Sequence, residues 1–395
     1  MSSDAIATSA RHEVSVYARS PVTFVRGQGC ELWDADGKRY LDFFAGLAVN
    51  NLGHCHPAVV EAIQAQAATL LHVSNLYHTE PTARLAGLLC EHSFAERVFL
   101  CNSGAEANEA ALKLVRRWGA DHGGGRFEIL ATTGSFHGRT LATLTASGQE
   151  KYHRGFQPLL PGIRLVPFDD VGALSDAIRD ETVAILLEPI QGEGGVVVPA
   201  PDYLPAVRQL ADERDLLLIL DEVQCGLGRT GRLFAHEHAD VVPDIMTLAK
   251  ALGGGLPIGA MCAGPRVADT FSPGAHGSTF GGNPVACAAA AVVVTELARP
   301  ELLEHVRTVG AYLRERLEGL ATRHGCIRHV RGAGLMLGAV LDRSGADIAR
   351  GALERGLLIN CTADTVLRFL PPLVIDRPHI DEGITILDEV LADAS

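Results

Sequence analysis

The sequence predicts an α/β protein with a parallel sheet covered by helices on both faces, and three features carry that prediction. Short apolar runs recur at residues 98–101, 127–131, 183–187, 216–220 and 258–263, with helix-length segments between them. Parallel strands require that alternation, because each must be joined to the next by a crossover. The segment 105–118 spaces Ala107, Ala110, Ala111, Leu114, Val115 and Trp118 three and four residues apart, with Lys113, Arg116 and Arg117 on or near the other face, which is the pattern of a crossover helix. Hydrophobic residues are 47% and charged residues 21% of the 395 positions, enough apolar material to fill large cores.

The remaining elements follow in order. Strand signals at 22–26 and 30–34 are separated by Gly27 and Gly29. Beyond about residue 300 the texture changes to a charged amphipathic helix at 301–323, a hairpin-like stretch at 326–341 and a helix at 346–355. These form a smaller α+β unit that the N-terminal strands are expected to join. The length predicts two or three domains, and with no Pro/Ser-rich linker they should interleave. The expected division is an N-terminal segment at 1–50 belonging to the small domain, a large domain at 51–296, and the C-terminal part of the small domain at 297–395.

Charge and hydropathy exclude several functions. The 34 Lys and Arg against 47 Asp and Glu leave a net charge of −13, which repels a phosphate backbone, so nucleic acid is not an expected partner. The longest apolar run, 285–295, falls short of the roughly 20 residues a membrane span needs, and residues 1–11 lack the basic flank and apolar centre of a secretory signal. The expected location is the cytoplasm, with no membrane partner. Nine cysteines form no C-x-x-C pair and read as reduced core residues.

Five places could carry chemistry. Lys250 is the only charged residue between Asp244 and Arg266. Desolvation there would lower its pKa and leave a neutral amine able to attack a carbonyl, although a snorkelling surface lysine reads the same way. Asp221 and Glu222 follow Leu216-Leu217-Leu218-Ile219-Leu220, at the carboxyl end of a buried strand, where open α/β sheets place ligands; a helix cap is the plainer use of that Asp. Asn102-Ser103-Gly104-Ala105-Glu106 joins a strand to the amphipathic helix and suits a phosphate or an ordinary N-cap. Phe136-His137-Gly138-Arg139 offers a stacking ring and a guanidinium. The polar loop from His276 through Ser278 and Thr279 to Pro284 precedes an alanine-rich helix.

One cofactor needs all of these. Pyridoxal phosphate requires a Schiff-base lysine, an acid for the pyridine nitrogen, a stacking ring and an anion site. The order and spacing resemble the class III (subgroup II) aminotransferases from Tyr17 to the C-terminus. The resemblance rests on Gly53-His54-Cys55-His56-Pro57, the blocks at Asn102 and Phe136, Glu188-Pro189-Ile190-Gln191-Gly192-Glu193-Gly194-Gly195, Asp221-Glu222-Val223-Gln224-Cys225-Gly226, Lys250 and the His276 loop.

It implies the type I fold, with a mostly parallel seven-stranded sheet and a smaller α+β domain, and a homodimer with shared active sites. Lys250 would be the Schiff-base lysine and Asp221 would hold the pyridinium proton. Gln224 would meet the ring hydroxyl and Phe136 the ring face, with Val223 beside it. Ser103, Gly104 and Ala105 would bind the phosphate, which Thr279 would reach from the other subunit.

Within the family the likeness is greatest to members that move the terminal amino group of N-acetylornithine to 2-oxoglutarate, as in arginine biosynthesis. Arg139, with Ser278 nearby, would hold the distal carboxylate of either amino donor. Arg368 would hold the second carboxylate of glutamate, and Glu193 would pair with Arg368 until glutamate displaces it. A small residue within Gly46-Leu47-Ala48-Val49-Asn50, where ornithine-specific relatives carry tyrosine, would leave room for an acyl group; Tyr17 and Asn75 would line that pocket. Ornithine, succinyldiaminopimelate and 4-aminobutyrate remain alternative donors.

Two rival readings exist. Gly226-Leu227-Gly228-Arg229-Thr230-Gly231 is a literal dinucleotide fingerprint, but five residues separate it from the preceding strand. His54, Cys55, His56, His236, His238 and Asp240 do not match structural zinc spacing, and no metal is expected.

Overall fold

The computed structural model describes residues 2–393; the outermost positions of the expected terminal segments, 1 and 394–395, lie outside it. Its centre is a seven-stranded sheet of β1 (Arg97–Cys101), β2 (Glu128–Thr132), β3 (Ile163–Val166), β4 (Thr182–Leu187), β5 (Leu217–Asp221), β6 (Ile245–Leu248) and β7 (Gly259–Ala263), in the order β1-β7-β6-β5-β4-β2-β3. All pairings are parallel except those of β7, which runs antiparallel to both neighbours. The expectation of a mostly parallel seven-stranded sheet holds, and the run at 258–263 is its antiparallel member. The segment between β6 and β7 is too short for a helical crossover, so the chain turns back.

Side-chain alternation covers both faces. Ile129, Ala131, Ala184, Leu186, Leu217 and Ile219 pack with Ala110, Ala111, Leu114, Val115 and Trp118 of α1 (Gly104–Asp121). Leu130, Ile185, Leu187, Leu218 and Leu220 pack on the opposite face with Leu204, Val207, Leu210 and Ala211 of α2 (Tyr203–Glu213). Strands buried on both faces read as continuous apolar runs, which is why they were visible in the sequence. No described helix is long and apolar enough to cross a membrane.

The chain ends build two further sheets. Phe24–Gln28, Glu31–Asp34 and Arg39–Asp42 form a meander whose last strand pairs in parallel with Leu357–Leu358. Ile327–Ala333 and Met336–Leu341 form the expected hairpin, extended by Val366–Phe369 and Asn360–Thr362.

Candidate active site

A cavity of about 490 Å³ opens at the carboxyl ends of the parallel strands, within the size range of small-molecule sites. Strand ends explain its contents. Ser103 to Ala105 follow β1, Phe136 to Arg139 follow β2, Glu188 and Glu193 follow β4, Asp221 ends β5 with Val223 and Gln224 just beyond, and Lys250 follows β6; all of them line it.

Asp221 stands on the cavity floor, 3% exposed. Its Oδ2 accepts from His137 Nδ1 and Asn108 Nδ2, each at 2.7 Å, and its Oδ1 accepts from Val223 N–H at 3.0 Å. Asn108 is oriented in turn, donating to the His137 carbonyl and accepting from Thr247 Oγ1, both at 2.8 Å. Burial alone would raise the Asp221 pKa, but the His137 hydrogen bond and charge, with the Val223 and Asn108 donors, outweigh it and hold the carboxyl below its usual range.

Glu188 is its counterpart. It accepts from the N–H groups of Phe136 at 3.0 Å and Gly192 at 3.1 Å, yet burial and the neighbouring Asp221 charge push it up to about 7. Two adjacent carboxyls are thereby driven apart, one held ionised and one holding its proton near neutrality.

Lys250 starts the short turn Lys250–Gly253 with φ of 41°, in the left-handed region that residues with side chains seldom adopt. Its Nζ makes no hydrogen bond or ion pair among the described residues. Burial lowers its pKa, assisted by the charge of Arg368 and opposed by that of Glu193.

Arg368 does not line the cavity: it lies behind the lining residues Glu193 and Gln224, fully buried, and donates to Glu193 Oε1 at 2.6 Å, Gln224 Oε1 at 3.0 Å and Asn360 Oδ1 at 3.1 Å. Burial would raise the Glu193 pKa, but Arg368 more than reverses that and keeps the carboxyl ionised. Arg139, by contrast, has no carboxylate partner among the described residues; its guanidinium lies over the rings of Tyr152 at 3.9 Å and Phe136 at 5.4 Å.

The cavity suits the phosphate, ring and aldehyde of pyridoxal phosphate on its own chemistry. Ser103 caps α1 by accepting from Glu106 N–H at 3.1 Å, while the N–H groups of Gly104 and Ala105 bind no described residue and remain free at the helix start. A Cβ on Gly104 would lie 2.9 Å from Val223 Cγ1, so glycine opens that approach. Phe136 supplies a ring, Asp221 an ionised acceptor, and Lys250 an unpartnered amine.

Besides Arg368, four predicted residues, Ser278, Thr279, Asn75 and Tyr17, fall outside the lining of the main cavity in this chain. Ser278 sits behind the wall, accepting from Asn102 Nδ2 at 3.0 Å. Thr279 lines a separate cavity of about 200 Å³ with His72, Asn75 and Tyr77. Tyr17 is 70% exposed and lines neither. Sequence reasoning gave no role to Glu188, Asn108 or His137. Glu188 ends an apolar run just as Asp221 does, and the same argument would have found it. The Gly53 to Pro57 block is a scaffold: His54 Nε2 lies 2.7 Å from Asp42 Oδ2, and Asp42 Oδ1 accepts from Phe44 and Ala45 N–H at the start of a left-handed turn, Ala45–Ala48. That turn delivers Val49 to the cavity.

A sheet with an unpaired lysine amine, a buried anionic acid and a helix-start anion site at its strand ends defines an enzyme of carbonyl and amine chemistry. The class-III aminotransferase model matches residues 14–391, and the chain belongs to that family, whose members depend on pyridoxal phosphate. The chain is 54% identical to the acetylornithine aminotransferase of Caldanaerobacter subterraneus subsp. tengcongensis over 97% of its length and 98% of that protein. Among solved structures, the ornithine aminotransferase of Toxoplasma gondii ME49 superposes with a TM-score of 0.96 at 36% identity, covering 100% of this chain and 96% of that one. The N-acetylornithine aminotransferase of Stenotrophomonas maltophilia K279a superposes with a TM-score of 0.85 at 42% identity, covering 98% and 99%.

Proposed function

We propose that the chain is a pyridoxal-phosphate-dependent acetylornithine aminotransferase, transferring the terminal amino group of N2-acetylornithine to 2-oxoglutarate and yielding N-acetylglutamate 5-semialdehyde and glutamate, a reaction of arginine biosynthesis. One observation carries the substrate assignment: Arg139 lines the cavity, whereas Arg368 is buried behind Glu193, which lines the cavity and masks it. An acylated diamino acid brings one carboxylate to the site and glutamate brings two. One open and one masked arginine fit that pair of donors, because a buried guanidinium without a counter-charge is costly. The names of the curated relatives point the same way.

Lys250, Asp221, Gln224, Val223, Phe136, Ser103, Gly104 and Ala105 would hold the cofactor. When bound, it would supply an electron sink for the electron pair left on the carbon bearing the substrate's amine when that carbon loses its proton. Lys250 Nζ, its basicity lowered by burial, takes and returns that proton. Asp221, kept ionised by His137 and Asn108, would favour a proton on the cofactor's ring nitrogen. Arg139 binds the distal carboxylate of both donors, and Glu193 swings from Arg368 when a second carboxylate arrives. The left-handed turn at Ala45–Ala48 sets Val49 as the wall beside the acyl group.

The expected homodimer is supported by the apolar residues Leu71, Leu76, Tyr77 and Phe280, all at least 60% exposed and grouped around the cavity that Thr279 lines. A partner covering this face would bring Thr279 to the other cofactor, with Tyr17 and Ser278 at the substrate end. A chain of two domains, a large one at 51–296 and a small one made of the N-terminal segment 1–50 and the C-terminal part 297–395, acting in the cytoplasm, completes the reading.

The ornithine reading is favoured by one fact, the superposition on ornithine aminotransferases. Steady-state rates with acetylornithine, ornithine, succinyldiaminopimelate and 4-aminobutyrate decide between them. The proposal expects kcat/KM to be highest for acetylornithine, and a higher value for free ornithine would overturn it.

A further inference from the structure

The loop Gly226 to Gly231 contains a side chain that cofactor and substrate binding leave unexplained. Arg229 is fully buried, and among the described residues no carboxylate pairs with it. Its Nη1 donates to the carbonyls of Leu335, at 3.1 Å, and Pro371, and its Nη2 donates to Asn51 Oδ1. Burial lowers its pKa to about 9, with only the more distant Asp42 charge opposing. A guanidinium buried among neutral acceptors is expensive, and a well-packed apolar residue would commonly be more stable. Its fork geometry is what an apolar residue or a lysine would lack.

The acceptors show what the fork fixes. Gly338 pairs with Arg368 across the strands Met336–Leu341 and Val366–Phe369. Leu335 lies three residues before Gly338 and Pro371 three residues after Arg368, so in this antiparallel pair both fall on the same side of the Arg368 rung, and Arg229 Nη1 ties the two strands together at that end. The backbone makes the same seam: Leu335 N–H donates to the Arg229 carbonyl at 3.0 Å, and a Cβ on Gly334 would lie 2.8 Å from that oxygen. Asn51, the third acceptor, also ties this region down, accepting from Leu373 N–H at 2.7 Å and donating to the Leu227 carbonyl at 2.9 Å.

We propose that Arg229 is a positioning residue for the second carboxylate of the dicarboxylic substrate: its fork ties the two strands that carry the Arg368 rung to the loop that follows Asp221 and so sets where the Arg368 guanidinium stands behind the cavity-lining Glu193 and Gln224. The inference rests on the reading of Arg368 as that carboxylate's partner. Arg229 touches neither substrate nor cofactor, and its effect should therefore fall on one half-reaction.

The test uses cofactor-loaded enzyme in single turnover, with glutamate and acetylornithine as separate donors. Arg229→Lys keeps the charge and loses the fork. The expected result is a fall in kcat/KM for glutamate of about tenfold or more, mostly in KM, with acetylornithine changed by less than about threefold, since displacements near 1 Å suffice for such losses. Equal losses for both donors, or no loss for either, would overturn the proposal. Asn51→Ser removes one acceptor and should show the same split with a smaller amplitude. If Arg229→Lys does not fold, that split alone decides, and its absence counts against the proposal. Arg368→Ala separates the two levels: if glutamate turnover survives it, the carboxylate reading itself has failed, whatever Arg229→Lys does.

Discussion

Replacing Glu193 with alanine tests the masking of Arg368 directly. Arg368 is fully buried, and among the described residues its charge is met by Glu193 alone and its Nη2 lacks a partner. Without Glu193 only the neutral oxygens of Gln224 and Asn360 remain. Stripping one member from a buried pair costs about 3–5 kcal/mol. The Glu193 side chain is 23% exposed, so water can fill part of the gap, and a net penalty of about 2 kcal/mol is reasonable, close to thirtyfold at about 1.4 kcal/mol per decade. Glutamate removes that penalty on binding by placing its own carboxylate on Arg368, and it no longer has Glu193 to displace. Acetylornithine leaves the charge bare, and its single carboxylate is drawn away from Arg139. The ratio of glutamate to acetylornithine kcat/KM should therefore rise by about thirtyfold, read from half-reaction rates in single turnover. Equal losses in the two half-reactions would refute the masking argument.

Three further outcomes follow from the geometry. Lys250→Arg should lose at least about 10³-fold in turnover, as expected for removal of the group that carries the proton, and borohydride reduction followed by digestion should place a pyridoxyl adduct on the peptide around Lys250 in wild type only. Glu188 has a carboxyl pKa raised to about 7 in the fold, so its favourable contribution is complete below its ordinary value of 4.5 and is lost as pH rises through about 7; thermal melts from pH 5 to 8 should show wild type losing stability relative to Glu188→Gln as pH rises, and a constant difference would reject the assignment. Gly192→Ala would place a Cβ 2.0 Å from Gln224 Oε1, and displacing that side chain should weaken cofactor retention by about tenfold, consistent with loss of one or two hydrogen bonds at about 1 kcal/mol each, measured by cofactor titration of the apoenzyme.

Legibility in the sequence follows how locally each feature is determined. Five of the seven central strands were visible as continuous apolar runs: four because both their faces are buried, and the edge strand Arg97–Cys101 because its run Val98 to Cys101 is apolar throughout. The other two were not: Ile163–Val166 is an edge strand with half-exposed positions, and Ile245–Leu248 is only four residues broken by Thr247. Lys250, Asp221 and the Ser103 cap could each be located, since a strand end or a helix start is a local property. What each was paired with could not be read, because the partners of Asp221 come from α1 and from the loop after β2, 113 and 84 residues away in the chain.

The Gly226 to Gly231 loop shows the same limit from the other side. As a string it matches a phosphate-binding fingerprint, and only its distance from the strand argued otherwise. In the fold, glycine is needed there because Gly231 and Gly228 take positive φ and pack against Arg307 and Leu373, which belong to the C-terminal part of the chain. Glycines chosen for close approach look alike whether a phosphate or another strand of the same protein approaches. The distinguishing residue is Arg229: a phosphate loop would turn a cation outward to its ligand, whereas this one is buried and spends its donors on backbone carbonyls and an asparagine oxygen of its own chain. The loop is thus an internal joint between the sheet carrying Asp221, which lines the cavity, and the strand carrying Arg368, which lies behind the lining residue Glu193.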